Sequence, residues 1–279
     1  MKVRRIILIV LITMFIASCA EMFEFNLFSE LDFVAIKTKD DFKTDEEYGD
    51  YLLDEMDSET VIEEIIEDGD EKVEEVIAAL KSLYEDEDKE KAQEAAIAVT
   101  DLKLAQSGAD DLIDNIVNGL DDIMSGPTEG EETGGTEDII AKMLPDTMLK
   151  VDEASGEKVL NPESKAEFVK VVSGLTSAAE DFSALSDILS KSDTTSEEID
   201  GGVAVAAVLS IAVDKVIEDI KTDPKIVSDE DAAEVLFDIM TGQDTTHTIS
   251  ADFSGVFEDE GFAKILEASG FGALFGSEE

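Results

Sequence analysis

Chemistry-bearing residues are scarce in this chain. Its 279 residues include one cysteine, Cys19, one histidine, His247, no tryptophan and four prolines. A single cysteine excludes an internal disulfide, so packing alone must hold the fold together. A lone histidine cannot build a His-rich zinc site. No serine stands in a Gly-x-Ser-x-Gly elbow, and nucleophilic catalysis needs a base beside its nucleophile. Basic residues are also few, 21 against 69 acidic, for a formal charge of −48. Such a surface repels phosphates, which excludes nucleic acid as a partner, and it repels anionic lipid headgroups. It attracts cations or a basic partner, or it simply keeps the chain soluble where salt screens repulsion. The acids are spread along most of the helical stretches, which favours the second explanation. A hydrophobic fraction of 43% argues against global disorder despite the charge.

Long apolar runs are equally few, and the most continuous lies at the start. Met1 to Arg5 carries Lys2, Arg4 and Arg5 with no acid, Ile6 to Ile16 is apolar except for Thr13, and Ala17, Ser18 and Cys19 follow. A basic stretch, a short apolar core and small residues at the cut are the layout of a secretory signal. The run is about half of what a membrane-spanning helix needs.

Ile16-Ala17-Ser18-Cys19 resembles the lipobox of bacterial lipoproteins, a branched residue and two small ones before an obligatory cysteine. The resemblance covers residues 1–19 only. It implies a diacylglyceryl thioether on Cys19, cleavage after Ser18, and a mature protein fixed by acyl chains to a membrane of the bacterial cell envelope. Ala20 in place of Asp allows, by the same resemblance, sorting to an outer membrane where there is one. Several chains matter, because one alone gives only marginal, reversible binding. Loss of residues 1–18 removes three basic residues and no acidic one, deepening the formal charge from −48 to −51.

Residues 19–43 are read as the anchor and an apolar strap. Met22, Phe23, Phe25, Leu27, Phe28, Leu31, Phe33 and Val34 crowd together, interleaved with Glu21, Glu24, Glu30 and Asp32. Those acids favour docking of the strap on the body over lying in an anionic membrane interface. Either way the tether is short.

From Thr44 onward helical spacing recurs, and the predicted class is all-α: an irregular multi-helix bundle or short α-solenoid, tetratricopeptide-like in general shape but without that repeat's signature. The N-terminal helical half spans 44–124. Thr44 with Glu47 forms a capping box, Ser58 is the next cap, and Gly69 is a stop. Val73, Val76, Ile77, Leu80 and Leu83 mark a third helix. Asp88 to Gln106 is the fourth, and Gly108 precedes a fifth with Leu112, Ile113, Ile116, Val117, Leu120 and Ile123 inward. Ser125 to Thr136, with one proline and four glycines, is read as a linker.

The C-terminal helical half spans 137–279. Glu137 to Leu144 reads as a brief helix ended by Pro145, and 148–160 as irregular, with a turn at Ser155-Gly156. Asn161, Pro162 and Glu163 signal a helix start. Phe168, Val169, Val172 and Leu175 form its stripe, and helix resumes through Phe182, Leu185, Ile188 and Leu189. Val203 to Val213 is the most hydrophobic stretch of the body and the candidate central helix. Ser228 with Asp231 starts another helix that Gly242 stops, and Phe262, Ile265 and Leu266 mark a last one before Gly270.

Three features invite a chemical reading. Glu85-Asp86-Glu87-Asp88 has the charge for weak Ca²⁺ binding but lacks the glycine and ligand spacing of an EF-hand loop, so a solvated helix junction is favoured. Gly270 to Gly276 resembles a dinucleotide loop superficially, with its third glycine displaced and no helix after it, and reads as an apolar tail. His247 reads as a surface loop residue able to make a pH-sensitive contact. No cofactor or metal is implied. The sequence therefore predicts a non-enzymatic, lipid-anchored helical module that binds a protein partner in the envelope. The rival is a ligand-binding or transporter-accessory lipoprotein with a pocket near Val203 to Val213.

Overall fold

The computed structural model describes residues 37–56, 59–124, 145–151, 158–196, 198–244, 246–247, 249 and 260–269. The lipobox, most of the strap, the cap Ser58, the 125–136 linker, the helix read at 137–144, the turn at Ser155-Gly156 and the Gly270 to Gly276 tail lie outside the described residues. Among those described are nine α-helices and one two-stranded sheet. The chain is all-α in class, as its periodicity predicts.

The helix starts follow their caps. Helix α1 (Asp45–Glu55) opens where Thr44 Oγ1 accepts from the Glu47 amide at 3.1 Å. The returning Glu47 carboxylate reaches the amide of Lys43 instead of Thr44, a capping box shifted by one residue. After α2 (Glu59–Glu67), Gly69 at φ +99° turns the chain into α3 (Asp70–Lys81). Asp88 caps α4 (Lys89–Ser107) by accepting from the amides of Glu90 and Lys91. Gly108 at φ +74° occupies the left-handed region that side chains resist, so α4 ends there and α5 (Ala109–Met124) starts at once. Asn161 accepts from the Glu163 amide at 3.1 Å and launches a 3₁₀ turn into α6 (Lys165–Ser190). Asp200 caps α7 (Gly201–Ile220), and Ser228 caps α8 (Asp229–Met240) through the Asp231 amide. Helix α9 (Glu260–Ala268) closes the order.

Two sequence expectations need correction. The irregular stretch before Asn161 contains a β-hairpin: β1 (Leu149–Val151) pairs antiparallel with β2 (Lys158–Leu160), Leu149 opposite Leu160. Strands of three residues are too short for a two-residue alternation to stand out, and Val151 at the strand end is 61% exposed. The central helix, moreover, is α6 and not Val203 to Val213. At 26 residues α6 is about 39 Å long, and α4, α7, α8 and α9 all lie against it. Val203, Val208, Leu209, Ile211 and Val213 of α7 are only partly buried at its flank. Local apolar density singled out α7; centrality belongs to the helix with enough length and enough buried faces to serve four neighbours.

Two apolar clusters result. The smaller joins Tyr48, Leu52, Ile65, Val73, Val76 and Leu80 of α1 to α3 with Val99 and Leu102 of α4. The larger surrounds α6 and combines Phe168, Leu175, Phe182 and Leu185 with Ile97 and Leu104 of α4, Leu112 of α5, Ala204 of α7, Phe237 of α8 and Phe262 of α9. Phe168 and Phe237 meet edge to face at 5.3 Å. Helix α4 serves both clusters, which is why its stretch from Ala95 to Thr100 is buried nearly all round. The stretches on either side of the 125–136 segment thus share one core in an irregular bundle.

Candidate functional site

The predicted anchor residues Ile16, Ala17, Ser18 and Cys19 lie outside the described residues, but the point where the body begins is well defined. The Lys37 amide donates to the Tyr51 hydroxyl at 3.1 Å, and its ammonium stands 4.8 Å from the Tyr51 ring centroid. Phe42 stacks at a tilt on Tyr48 and Tyr51, with centroids 5.3 and 5.1 Å away. By residue 37, therefore, the chain is already fastened to α1.

The most concentrated polar contacts inside the body meet at Asp181 of α6, which is 2% exposed. Its carboxylate accepts from Lys103 of α4 at 2.5 Å and from the Tyr84 hydroxyl at 3.0 Å, and pairs with Lys81 of α3 at 2.7 Å. Lys103 also donates to the Ser177 carbonyl at 3.0 Å. Burial, and then the Asp181 charge, pushes the Tyr84 hydroxyl far above its ordinary range, so Tyr84 stays a donor. Every group here is matched to a partner, and the arrangement clamps the N-terminal helices to α6.

An open cleft of about 500 Å³ runs between α6, α7 and the start of α8. Ser173, Thr176 and Glu180 form one wall, and Asp214, Glu218 and Asp229 are among the residues opposite. Burial raises the Asp214 carboxyl, and Glu218 adds to the shift. Lys221 is paired with Asp229 at 2.6 Å. The hydroxyl oxygens of Ser173 and Thr176 have no hydrogen-bond partner and are closed off from solvent. This cleft adjoins the Val203 to Val213 stretch through Asp214, the residue directly after it, and its lining is mainly polar.

Comparison of the chain with protein families, with curated proteins and with solved structures finds no match.

The acidic run Glu85 to Asp88 is used by the fold. Asp86 accepts from the Asp88 amide at 2.9 Å and pairs with Lys91 at 3.1 Å, contacts that lower its carboxyl in that order of importance. Asp88 caps α4, and Lys91 reaches back to Asp50 of α1 as well. Among the described residues no group of three His, Cys, Asp or Glu side chains is placed to hold a metal ion.

Sequence reasoning passed over Asp101. On α4, burial raises its carboxyl to about 7, and Asp200, Glu198 and Asp110 add to the shift. A carboxyl raised above its unfolded value weakens the fold wherever it is charged: its penalty is absent below about 4 and full above about 7. Asp101→Asn is expected to stabilise the chain by on the order of 2 kcal/mol at pH 8, with the gain fading as pH falls toward 4. Urea unfolding at both pH values checks it, and equal stability of parent and variant at pH 8 would contradict it.

Proposed function

We propose that this chain is a lipid-anchored bacterial envelope lipoprotein whose acidic helical body is a non-enzymatic protein-binding or scaffold module. The observation that carries the reading is Cys19, the sole cysteine of the chain, placed directly after Ile16-Ala17-Ser18 at the end of a signal-like leader.

The start of the body adds a length. Lys37, where the chain is already fastened to α1, lies eighteen residue steps beyond Cys19, a length that fully extended reaches at most about 65 Å. A docked strap shortens that reach. The tethered body therefore works close to the bilayer, and its negative charge holds it off anionic headgroups rather than against them. A partner suited to this body carries basic residues and sits in, or next to, the same membrane.

Fractionation of bacteria expressing the full chain tests the anchor. Parent protein is expected in the membrane fraction with acyl chains on Cys19, and Cys19→Ala in the soluble envelope fraction with its leader uncut at Ser18. Mass spectrometry that found an unmodified Cys19 thiol in the mature protein would sink the reading. Cross-linking in native membranes followed by pull-down is expected to return a basic envelope protein; recovery of the chain alone would count against the scaffold role.

A further inference from the structure

We infer that His247 is a proton-operated clasp that ties the turn after α8 to the turn after α7. The ring lies between two carboxylates. Its Nδ1 stands 2.5 Å from Asp244 Oδ2 in its own turn, and its Nε2 3.5 Å from Asp223 Oδ2 in the neighbouring turn. The sequence reads His247 as a surface loop residue able to make a pH-sensitive contact; the structure half-buries it between two elements and supplies the partners.

Each aspartate has one oxygen already committed. Asp244 Oδ1 accepts from the Thr246 amide and hydroxyl, both at 2.7 Å, and from the His247 amide at 3.3 Å. Asp223 Oδ1 accepts from the Lys225 amide at 3.0 Å. In both residues the other oxygen faces the imidazole. These two local turns form whether or not the ring is charged, so what protonation changes is the link between them.

A neutral imidazole has one N–H and one lone pair, so it can serve one of these carboxylates and must point its lone pair toward the other. An imidazolium donates from both nitrogens and serves both. Closure of the clasp therefore takes up one proton. Among the described residues the charged groups facing the ring are Asp244 from its own turn and Asp223 from the α7–α8 turn, with Lys225 beside Asp223 as the nearby cation. Asp244, first through its hydrogen bond, and then Asp223 raise the histidine above its ordinary value. A histidine raised on folding lends its full contribution below the unfolded value of about 6.5 and loses it as pH rises through the folded value. Both aspartates are held below the usual carboxylate range, so they stay charged at the mildly acidic pH where the imidazole takes up its proton. Mild acid locks the first part of the α8–α9 connection to the α7–α8 turn, and alkali frees it.

The test uses the full chain. Because His247 is the only histidine, its ring signals in an NMR titration need no assignment. The midpoint is expected above about 6.5. Hydrogen exchange followed by mass spectrometry, corrected for intrinsic rates, is then compared at about pH 6 and about pH 8. Segments 221–227 and 241–247 are expected to exchange roughly two- to fivefold more slowly at the lower pH, the range of an exposed ion pair. His247→Gln is expected to erase the difference in both segments. Asp223→Asn should erase it in 221–227 while the turn at Asp244 stays formed. Asp101 titrates in the same range, which is why the readout is local. A midpoint at or below 6.5, or a pH difference that survives in His247→Gln, would overturn the inference.

Discussion

Asp181→Ala is expected to lose about 3–5 kcal/mol of unfolding free energy, the cost of breaking a buried charge arrangement by removing one member. The carboxylate is almost fully enclosed, and its loss strands three groups at once. Lys103, itself only 12% exposed, keeps a single carbonyl partner at Ser177. The partly buried Tyr84 hydroxyl is left without its acceptor, and Lys81 loses its partner from α6. Urea unfolding followed by circular dichroism measures the loss as a lower midpoint at an unchanged slope. A second variant separates stranded charge from lost attraction. Asp181→Leu combined with Lys103→Met removes both buried charges, and it is expected to be more stable than Asp181→Ala, because apolar replacements avoid the desolvation cost. A single variant within about 1 kcal/mol of the parent would show that water reaches the site and that the clamp contributes little.

That clamp is where the two apolar clusters are joined by something more specific than burial. Lys81 belongs to α3, Tyr84 to the turn after it, Lys103 to α4 and Asp181 to α6. Apolar contact fixes that these helices adjoin; directional charge contacts fix how they are aligned. Gln93, fully buried near the start of α4, adds neutral directional contacts to the segment just past the C-terminal end of α6. Its amide nitrogen donates to the Thr194 carbonyl at 3.1 Å, and its oxygen accepts from the Ser196 amide at 2.8 Å. From α9, Lys264 donates to the Leu189 carbonyl at 2.7 Å and so caps the end of α6.

What the sequence makes legible is local. Thr44, Asn161 and Ser228 start helices where their side chains predict, and Gly69, Gly108 and Gly242 stop them, because a cap and its amide lie within three residues of each other. The inward stripes of α3, of α5 from Leu112 to Val117, and of α9 follow from a 3.6-residue period, while the side chains of Leu120 and Ile123 lie outside the described ones. The contacts that organise the body are not of that kind. Tyr84 meets Asp181 across 97 positions and Gln93 meets Thr194 across 101, and no spacing rule connects residues so far apart. Asp181 is one of 69 acids, so its composition gives no hint that it is buried and shared. The same abundance hid Asp101, whose shift comes from burial and from Asp200, Glu198 and Asp110, brought close only by the fold. His247 was noticed for its rarity, but its second carboxylate, Asp223, sits in another turn.

Gly174→Ala is the second substitution expected to be severe, and here two effects of opposite sign compete. Alanine in the middle of a helix is favoured over glycine by about 1 kcal/mol, so propensity alone predicts a gain. Gly174, however, lies where α6 crosses the end of α4, and a methyl group there would overlap both Cβ and Oγ of Ser107. Ser107 is not free to swing aside. Its hydroxyl donates to the Leu104 carbonyl at 2.8 Å and accepts from the Ala109 amide at 3.3 Å, holding the junction of α4 and α5. The helices must therefore separate, and separation opens the larger core along α6. A net loss of about 3 kcal/mol is expected, at the upper end of what overpacking costs. Thermal or urea unfolding of Gly174→Ala gives the sign directly, and a variant as stable as the parent would mean that α4 and α6 do not cross this closely. Ser107→Gly supplies the control. Alone it should destabilise, since it gives up two hydrogen bonds and some helix propensity; added to Gly174→Ala it should restore stability, because it clears the space the new methyl needs. Positive coupling between two substitutions that are each harmful singly is a signature of steric contact between those two positions.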